Sequence, residues 1–420
     1  MQHTKLSTLA ETLIGSEIVK LGGIIKEKIS KGEQIYNYTI GDFDPKEFPI
    51  PDELKSEIKQ AYDDGFTNYP IADGETDLRK AVTGFIKKNE GLDFELNEIL
   101  IAAGGRPLIY AAYRAIVDKA DKVIYPIPSW NNNHYTHFTE GEHIVIESAR
   151  ENNFMPTAAQ IKPHLKGASL LALCSPLNPT GTVFSKTDLE EICDIVLEEN
   201  AQRATGEKKL YLMYDQIYWT LTFGDTVHYN PVSLRPAMKD YTIFIDGISK
   251  AFAATGVRVG WSLGPGEVIA KMKAINSHVG AWAPMAEQKA VANFLVNEKA
   301  VTDYFSTFKN EIEYRLNTIS EGFNQLKKEG FAVDVIAPQA AIYLTVQINL
   351  VGKKVEDRIL YNQAAVTSYI LNEAKLAIVP FNCFGADSEN SWYRISVGCV
   401  KKEEISEMIN KLRNALQKVN

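Results

Sequence analysis

The chain has 420 residues, 45% hydrophobic and 23% charged, the balance of a globular protein long enough for two or three domains and a core that needs no staples. Its net charge of −8 comes from interspersed acids and bases, which excludes a nucleic-acid stripe or a polybasic membrane patch, and no apolar run approaches the ~18 residues of a membrane span. Four cysteines (Cys174, Cys193, Cys383 and Cys399) without a CxxC pair read as reduced thiols of a cytoplasmic protein, and the N-terminus lacks the cationic and apolar stretches of a secretory signal.

Residues 1–45 carry no strong periodicity and are expected to pack with the C-terminal part. Asp42 and Asp44 read as loop caps there. Tyr69 follows a polar turn in NYPIADGETDLR, five residues before Gly74. Between residues 98 and 262 the apolar runs EILIAAGG, KVIYPIP, HIVIES, SLLALCSP, KLYLMYD and TIFIDG alternate with helical patterns. Near-continuous Val, Ile and Leu content fits strands buried on both faces, and the alternation predicts an α/β domain with a mainly parallel sheet. One intervening helix begins at Ser185, a capping residue with Asp188 three positions on, and buries Leu189, Ile192, Cys193 and Val196. The C-terminal third differs: AIYLTVQI and YRISVGC read as strands separated by a helix over 356–374. A final helix over 401–418 places Ile405, Met408, Ile409, Leu412 and Leu416 on one face. The expected division is a large domain over 46–300 and a small α+β domain from 1–45 and 301–420.

Chemistry concentrates in a few segments. In DGISKAFAATGVRVGW, residues 246–261, Lys250 follows a buried strand and Arg258 comes eight residues later between glycines. Burial disfavours the ammonium form and makes such a lysine a usable nucleophile, while an arginine flanked by glycines can grip a phosphate with two parallel hydrogen bonds. In ILIAAGGRPLIYAAYRAI, residues 99–116, a strand ends at Gly104–Gly105 and a helix is expected to open with Pro107 at its first position. The amides and dipole of such a helix start favour an anion. Taken singly, each feature has a plainer reading: a helix-start lysine, a surface arginine, a glycine turn, a strand-end Asp215 that caps a helix, a core Trp130, a Pro-Asn turn at SPLNPTG. Arg394 is harder to dismiss, because it opens a buried strand where an unpaired charge is costly. His134 and His137 have metal-pair spacing but no accompanying Cys, Asp or Glu cluster, so no metal site is expected. Neither a GxSxG elbow nor a GxxxxGK[ST] loop is present.

Taken in order from Gly41 to Arg394, these segments resemble the class I/II aminotransferases of the aspartate aminotransferase superfamily. The resemblance implies the fold type I architecture: a mainly parallel, seven-stranded-type sheet flanked by helices, plus a smaller α+β domain. It also implies pyridoxal 5′-phosphate as cofactor, held as a Schiff base by Lys250, which then shuttles the proton. Asp215 would pair with the pyridinium nitrogen and keep the ring an electron sink. Tyr218 and Asn178 would hydrogen-bond the phenolic oxygen, and Trp130 would stack on the ring. The phosphate would lie on the amides of Gly105 and Arg106, with Arg258. The family's usual hydroxyl residue three before the lysine is Gly247 here, leaving Ser249 as the candidate replacement. Arg394 would clamp the substrate α-carboxylate with help from Gly41 and Asn178. Tyr69 would reach the phosphate of the partner subunit, implying a homodimer with shared sites. The Gly-Ala-Phe-Tyr stretch of many relatives reads Ala340-Ala341-Ile342-Tyr343 here.

The expected reaction is amino-group transfer between an amino acid and a 2-oxo acid, possibly of the aspartate and 2-oxoglutarate kind. A carbon–sulfur β-lyase or a decarboxylase on the same fold is the nearest alternative, since the same lysine, aspartate and arginine serve those reactions. A non-enzymatic regulator built on a transaminase-like domain is disfavoured by the retained Lys250, the acidic chain and the lack of an added DNA-binding module.

Overall fold

The computed structural model describes residues 6–15 and 17–420. The six apolar runs form strands: β1 (Ile99–Ala102), β2 (Lys122–Ile127), β3 (Glu142–Glu147), β4 (Ala168–Cys174), β5 (Tyr211–Asp215) and β6 (Thr242–Gly247). A seventh, β7 (Gly260–Leu263), completes a sheet of order β1-β7-β6-β5-β4-β2-β3. Strands β2 to β6 run parallel, and β7 pairs antiparallel with both β1 and β6. The short run GWSL has neither alternation nor a continuous apolar stretch, so only the ladder identifies it as a strand.

Side chains alternate between two cores, as period two requires. Ile99, Ile101, Leu171 and Leu173 face one core, with the helices Thr76–Glu90, Lys186–Gln202 and Met285–Val296. Leu100, Ala102, Leu170 and Ala172 face the other, under the helices Gly105–Ile116 and Gly266–Val279. Each fully buried aliphatic side chain contributes about 1.5–3 kcal/mol, so a sheet covered on both faces is a rigid platform. The expected cap is in place: the Asp188 amide donates to Ser185 Oγ at 3.1 Å, and Ser185 Oγ donates to the Asp188 carboxylate at 2.6 Å.

A second sheet, β8 (Val333–Val335), β9 (Tyr343–Ile348), β10 (Val379–Pro380) and β11 (Trp392–Ser396), is antiparallel in the order β10-β11-β9-β8. It packs with the helix Ile405–Gln417, whose Ile405, Met408, Ile409, Leu412 and Leu416 are all buried in one core. The 31-residue helix Glu298–Lys328 joins the two parts, with Ala300 and Val301 in the first core and Phe308 to Leu326 in the second. Near the N-terminus, Tyr36–Asn37 pairs in parallel with Leu376–Ala377, and Ile25 packs on Leu371 and Ala377.

Two local expectations need correction. The helix after β1 starts at Gly105 with Gly104 as its cap, so Pro107 is its third residue. Its missing N–H still falls among the first-turn donors that have no helical partner. The helix expected over 356–374 is shorter, Gln363–Glu373, because Lys354–Val355 and Arg358–Ile359 pair as a hairpin and Asn362 caps the helix behind it. All four cysteines are free thiols.

Candidate active site

A cavity of about 760 Å3 lies where the C-terminal ends of β4, β5 and β6 meet β9 and β11. Crevices beyond the carboxyl ends of parallel strands are where open α/β sheets bind ligands. The ladder sets Cys174, Asp215 and Ile245 side by side at the end of β4, β5 and β6, and all three line the cavity.

Lys250 lies in a single helical turn, Ile248–Ala251, directly after β6. Its amine donates to the Gly41 carbonyl at 2.7 Å. Burial pulls its pKa down to about 8; the Asp42 carboxylate opposes that shift, while Arg394 and Arg106 reinforce it. The residue three before it has to be glycine. A Cβ on Gly247 would come within 2.7 Å of Gly260 Cα and 2.9 Å of the Val259 carbonyl, because β7 runs back closely against β6. Ser249 lines the cavity instead.

Arg258 occupies a left-handed conformation, φ 63°, just before β7. Its guanidinium donates to the Thr255 carbonyl at 2.6 Å and the Ala103 carbonyl at 2.7 Å, lying so close to Gly104 that any Cβ there would collide with it. The arginine is thereby fixed beside the start of the helix Gly105–Ile116, whose first residues Gly105 and Arg106 also line the cavity.

Asp215 is the opposite case, a half-buried carboxylate at the cavity wall with little to satisfy it. Burial pushes its pKa up to about 6 against a single opposing hydrogen bond, from the Ile217 amide at 3.1 Å. A neighbouring acid went unnoticed in the sequence. Asp246 is 1% exposed, accepts from Trp219 Nε1 at 2.8 Å and from the Gly247 amide at 2.7 Å, and is pushed up to about 8 by burial. No sequence signal separates it from an ordinary strand-end residue.

Arg394, 2% exposed, donates to Asn178 Oδ1 at 3.0 Å and to the Thr39 carbonyl at 2.6 Å. It packs over the rings of Tyr343 (4.7 Å) and Phe384 (5.0 Å), and its Nε has no hydrogen-bond partner among the described residues. Gly41 faces it, where a Cβ would come 2.9 Å from the Tyr343 hydroxyl and 3.5 Å from Arg394 Nη1. Tyr218 and Trp130 complete the wall, with the exposed Arg106 guanidinium 5.5 Å over the Trp130 ring.

Of the residues singled out from sequence, Gly41, Gly105, Arg106, Trp130, Asn178, Asp215, Tyr218, Ser249, Lys250, Arg258 and Arg394 share this one cavity. Tyr69 does not. It is 81% exposed and lies edge-on to Trp282 with centroids 5.4 Å apart. Asp42 and Asp44 do cap their loop, accepting from the Phe43 and Lys46 amides at 2.8 and 2.9 Å, but Asp42 also lines the cavity and accepts from Thr255 Oγ1 at 2.6 Å. The lining residues Thr39, Cys174, Thr255 and Tyr343 were not assigned from sequence, although Cys174, Thr255 and Tyr343 lay in stretches that had been noticed. No group of three metal-capable side chains exists among the described residues.

The donor set fits pyridoxal phosphate. Asp215 is a half-buried acid facing the cavity with its carboxyl pKa raised, suited to a cation such as a protonated ring nitrogen. Arg258, Ser249 and the amides at the start of a 12-residue helix form an anion cradle that Gly104 keeps open. Lys250 supplies an amine whose proton is already loosened by burial.

Comparison with known proteins agrees with this reading. Residues 34–412 match the family described as aminotransferase class I and II. An aspartate aminotransferase of Rhizobium meliloti is 25% identical over 414 residues, 96% of this chain and 94% of that protein. A probable aspartate/prephenate aminotransferase of Rickettsia prowazekii (strain Madrid E) is 28% identical over 382 residues, 88% of this chain and 89% of the relative. The crystal structure of the aspartate aminotransferase from Rhizobium meliloti superposes with a TM-score of 0.90 at 24% identity, covering 99% of this chain and all of that one.

Proposed function

The chain belongs to the class I and II aminotransferase family and is a pyridoxal-phosphate-dependent transaminase, and on that premise we propose that its amino donor is an acidic amino acid. The observation carrying this is the disposition of three arginines around one cavity. Arg258 is fixed by the Thr255 and Ala103 carbonyls beside the phosphate cradle, and Arg394 by Asn178 and Thr39 deep in the carboxylate pocket. Arg106 is left exposed at the mouth with no carboxylate partner among the described residues, which suits it to a second, distal carboxylate. Relatives named for aspartate fit the same reading.

When bound, pyridoxal phosphate draws electron density from the substrate α-carbon and so makes its proton removable. The chain's residues divide the remaining work. Arg258, Ser249 and the Gly105 and Arg106 amides would hold the phosphate. Asp215 would hold the proton on the ring nitrogen through its negative charge, and Trp130 would cover the ring. Tyr218 and Asn178 would donate to the phenolic oxygen. Arg394, with Asn178 and Gly41, fixes the α-carboxylate so that the α-proton faces Lys250. The Lys250 amine, whose pKa burial pulls down to about 8, would take that proton and later return one.

Arg106→Gln tests the substrate assignment. KM for aspartate and 2-oxoglutarate should rise about 10-fold or more, the scale of one charge-assisted contact, while turnover of a donor with an apolar side chain changes little. An equal loss for both donors, or none for aspartate, would remove Arg106 from this role.

The large domain is assigned to 46–300, and the small one to 1–45 and 301–420, of which residues 1–5 and 16 lie outside the described set. The division is supported by the separate cores that share the helix Glu298–Lys328; limited proteolysis should release fragments that respect it. No helix among the described residues is long and apolar enough to cross a membrane. The four free thiols favour a reducing, cytoplasmic setting, checked by cell fractionation.

The exposed Tyr69, beside Ile71 (51% exposed) and Trp282, supports a homodimer in which Tyr69 serves the partner's phosphate site. Tyr69→Phe should then weaken cofactor retention modestly, by on the order of 1 kcal/mol, with the fold intact. In a hybrid of Tyr69→Phe and Lys250→Ala subunits, one site carries both defects and the other neither. A monomer that stays fully active at low concentration would overturn the shared site.

A further inference from the structure

Tyr343 has no part in the roles assigned above, yet its hydroxyl lies 2.6 Å from that of Tyr218. The two side chains are 1% and 3% exposed, and among the described residues neither hydroxyl has another hydrogen-bond partner. Tyr343 is held firmly. It begins β9, its ring lies under the Arg394 guanidinium at 4.7 Å and edge-on to Tyr218 at 5.4 Å, and its hydroxyl fills the space a Cβ on Gly41 would need, 2.9 Å from that position. The other ionisable groups facing the pair are Arg394, Asp42 and Cys174, with the Lys250 amine 5.9 Å from the Tyr218 ring.

A phenol has one proton to give and two lone pairs to offer. Two phenols in a buried 2.6 Å contact therefore have to divide the roles, one giving and one receiving. If Tyr218 is to give its proton to the phenolic oxygen of the cofactor, it cannot also give it to Tyr343. We propose that Tyr343 is a positioning residue that donates its hydroxyl proton to Tyr218, so that the Tyr218 proton points into the cavity. This rests on the role given above to Tyr218 and adds the reason its proton has a fixed direction. A hydroxyl that receives a hydrogen bond is also a better donor, so the pair acts as a short polarised chain. Because Tyr343 also touches Arg394 and Gly41, it ties the carboxylate pocket to the cofactor's oxygen.

The test follows the pH midpoint of the colour change of the lysine-bound cofactor in the holoenzyme. Donation to the phenolic oxygen favours its ionised form, so weakening that donation raises the midpoint. Tyr343→Phe should raise it by roughly 0.5–1 pH unit, one hydrogen bond's worth, and should add nothing in a Tyr218→Phe background. Replacing Tyr343 by 3-fluorotyrosine, a more acidic phenol, should move the midpoint down; this arm keeps the hydroxyl and decides the matter even if the Phe variant folds poorly. An unmoved midpoint in both Tyr343 variants, or an equal shift with and without the Tyr218 hydroxyl, overturns the proposal. If Tyr218→Phe moves the midpoint and the Tyr343 variants do not, only the role of Tyr343 fails. A silent Tyr218→Phe removes the role of Tyr218 and the proposal together.

Discussion

Lys250→Ala is expected to lose at least ~10^4-fold in transamination, because one substitution removes both the nucleophile that carries the cofactor and the base that moves the proton. The fold should survive. Among the described residues the Lys250 side chain makes one hydrogen bond, to the Gly41 carbonyl, and Ile248, on the same turn, stays packed in the core. Cofactor should still bind, through the phosphate cradle, without the absorption band of the lysine-bound form. Borohydride reduction of the unaltered enzyme should fix pyridoxyl mass on the peptide containing Lys250. A small primary amine should restore part of the proton-transfer rate in the variant, since the cavity then has room for the missing base. Label on any other lysine, or a variant that retains turnover, would place the chemistry elsewhere.

Asp215→Asn should cost at least ~100-fold in the single-turnover half-reaction, the lower range for losing a positioned acid or base. The substitution is nearly isosteric, and the amide oxygen can still accept from the Ile217 amide that now bonds Oδ1 at 3.1 Å. What disappears is the charge. Desolvation pushes the Asp215 carboxyl up to about 6 when nothing positive faces it, and a ring cation would restore its charge while being held protonated in return. With Asn the ring nitrogen loses its counter-charge and the pull on the substrate α-carbon weakens. Asp246 is no substitute, because both its oxygens are engaged by Trp219 Nε1 and the Gly247 amide. An unchanged half-reaction rate with normal cofactor binding would reduce Asp215 to a loop cap for Ile217.

Alternation of apolar runs with helical patterns was enough to determine a mainly parallel α/β sheet, since strands buried on both faces leave a continuous hydrophobic signal. Lys250 and Arg258 were legible for a similar reason. Their chemistry is tied to local backbone features: the end of an apolar strand, and an arginine set between glycines. Burial of the last helix was equally readable from the spacing of Ile405, Met408, Ile409, Leu412 and Leu416.

Long-range contact decided the rest. Strand β7 has only four residues and no periodic signal, yet its close return along β6 is what forces glycine at position 247 and excludes a hydroxyl there. The pairing of Tyr343 with Tyr218 joins residues 125 apart, and Arg394 reaches Asn178 across 216 positions. Asp246 became distinctive only when Trp219 and the Asp215 strand closed around it. Arg106 shows both sides of this: its place at a helix start was legible in the glycine pair before it, whereas the freedom of its guanidinium was not. Sequence patterns report what a segment buries and how its own backbone turns; which side chains share a cavity, and which charges are left without partners inside it, is set by how distant strands and loops come together.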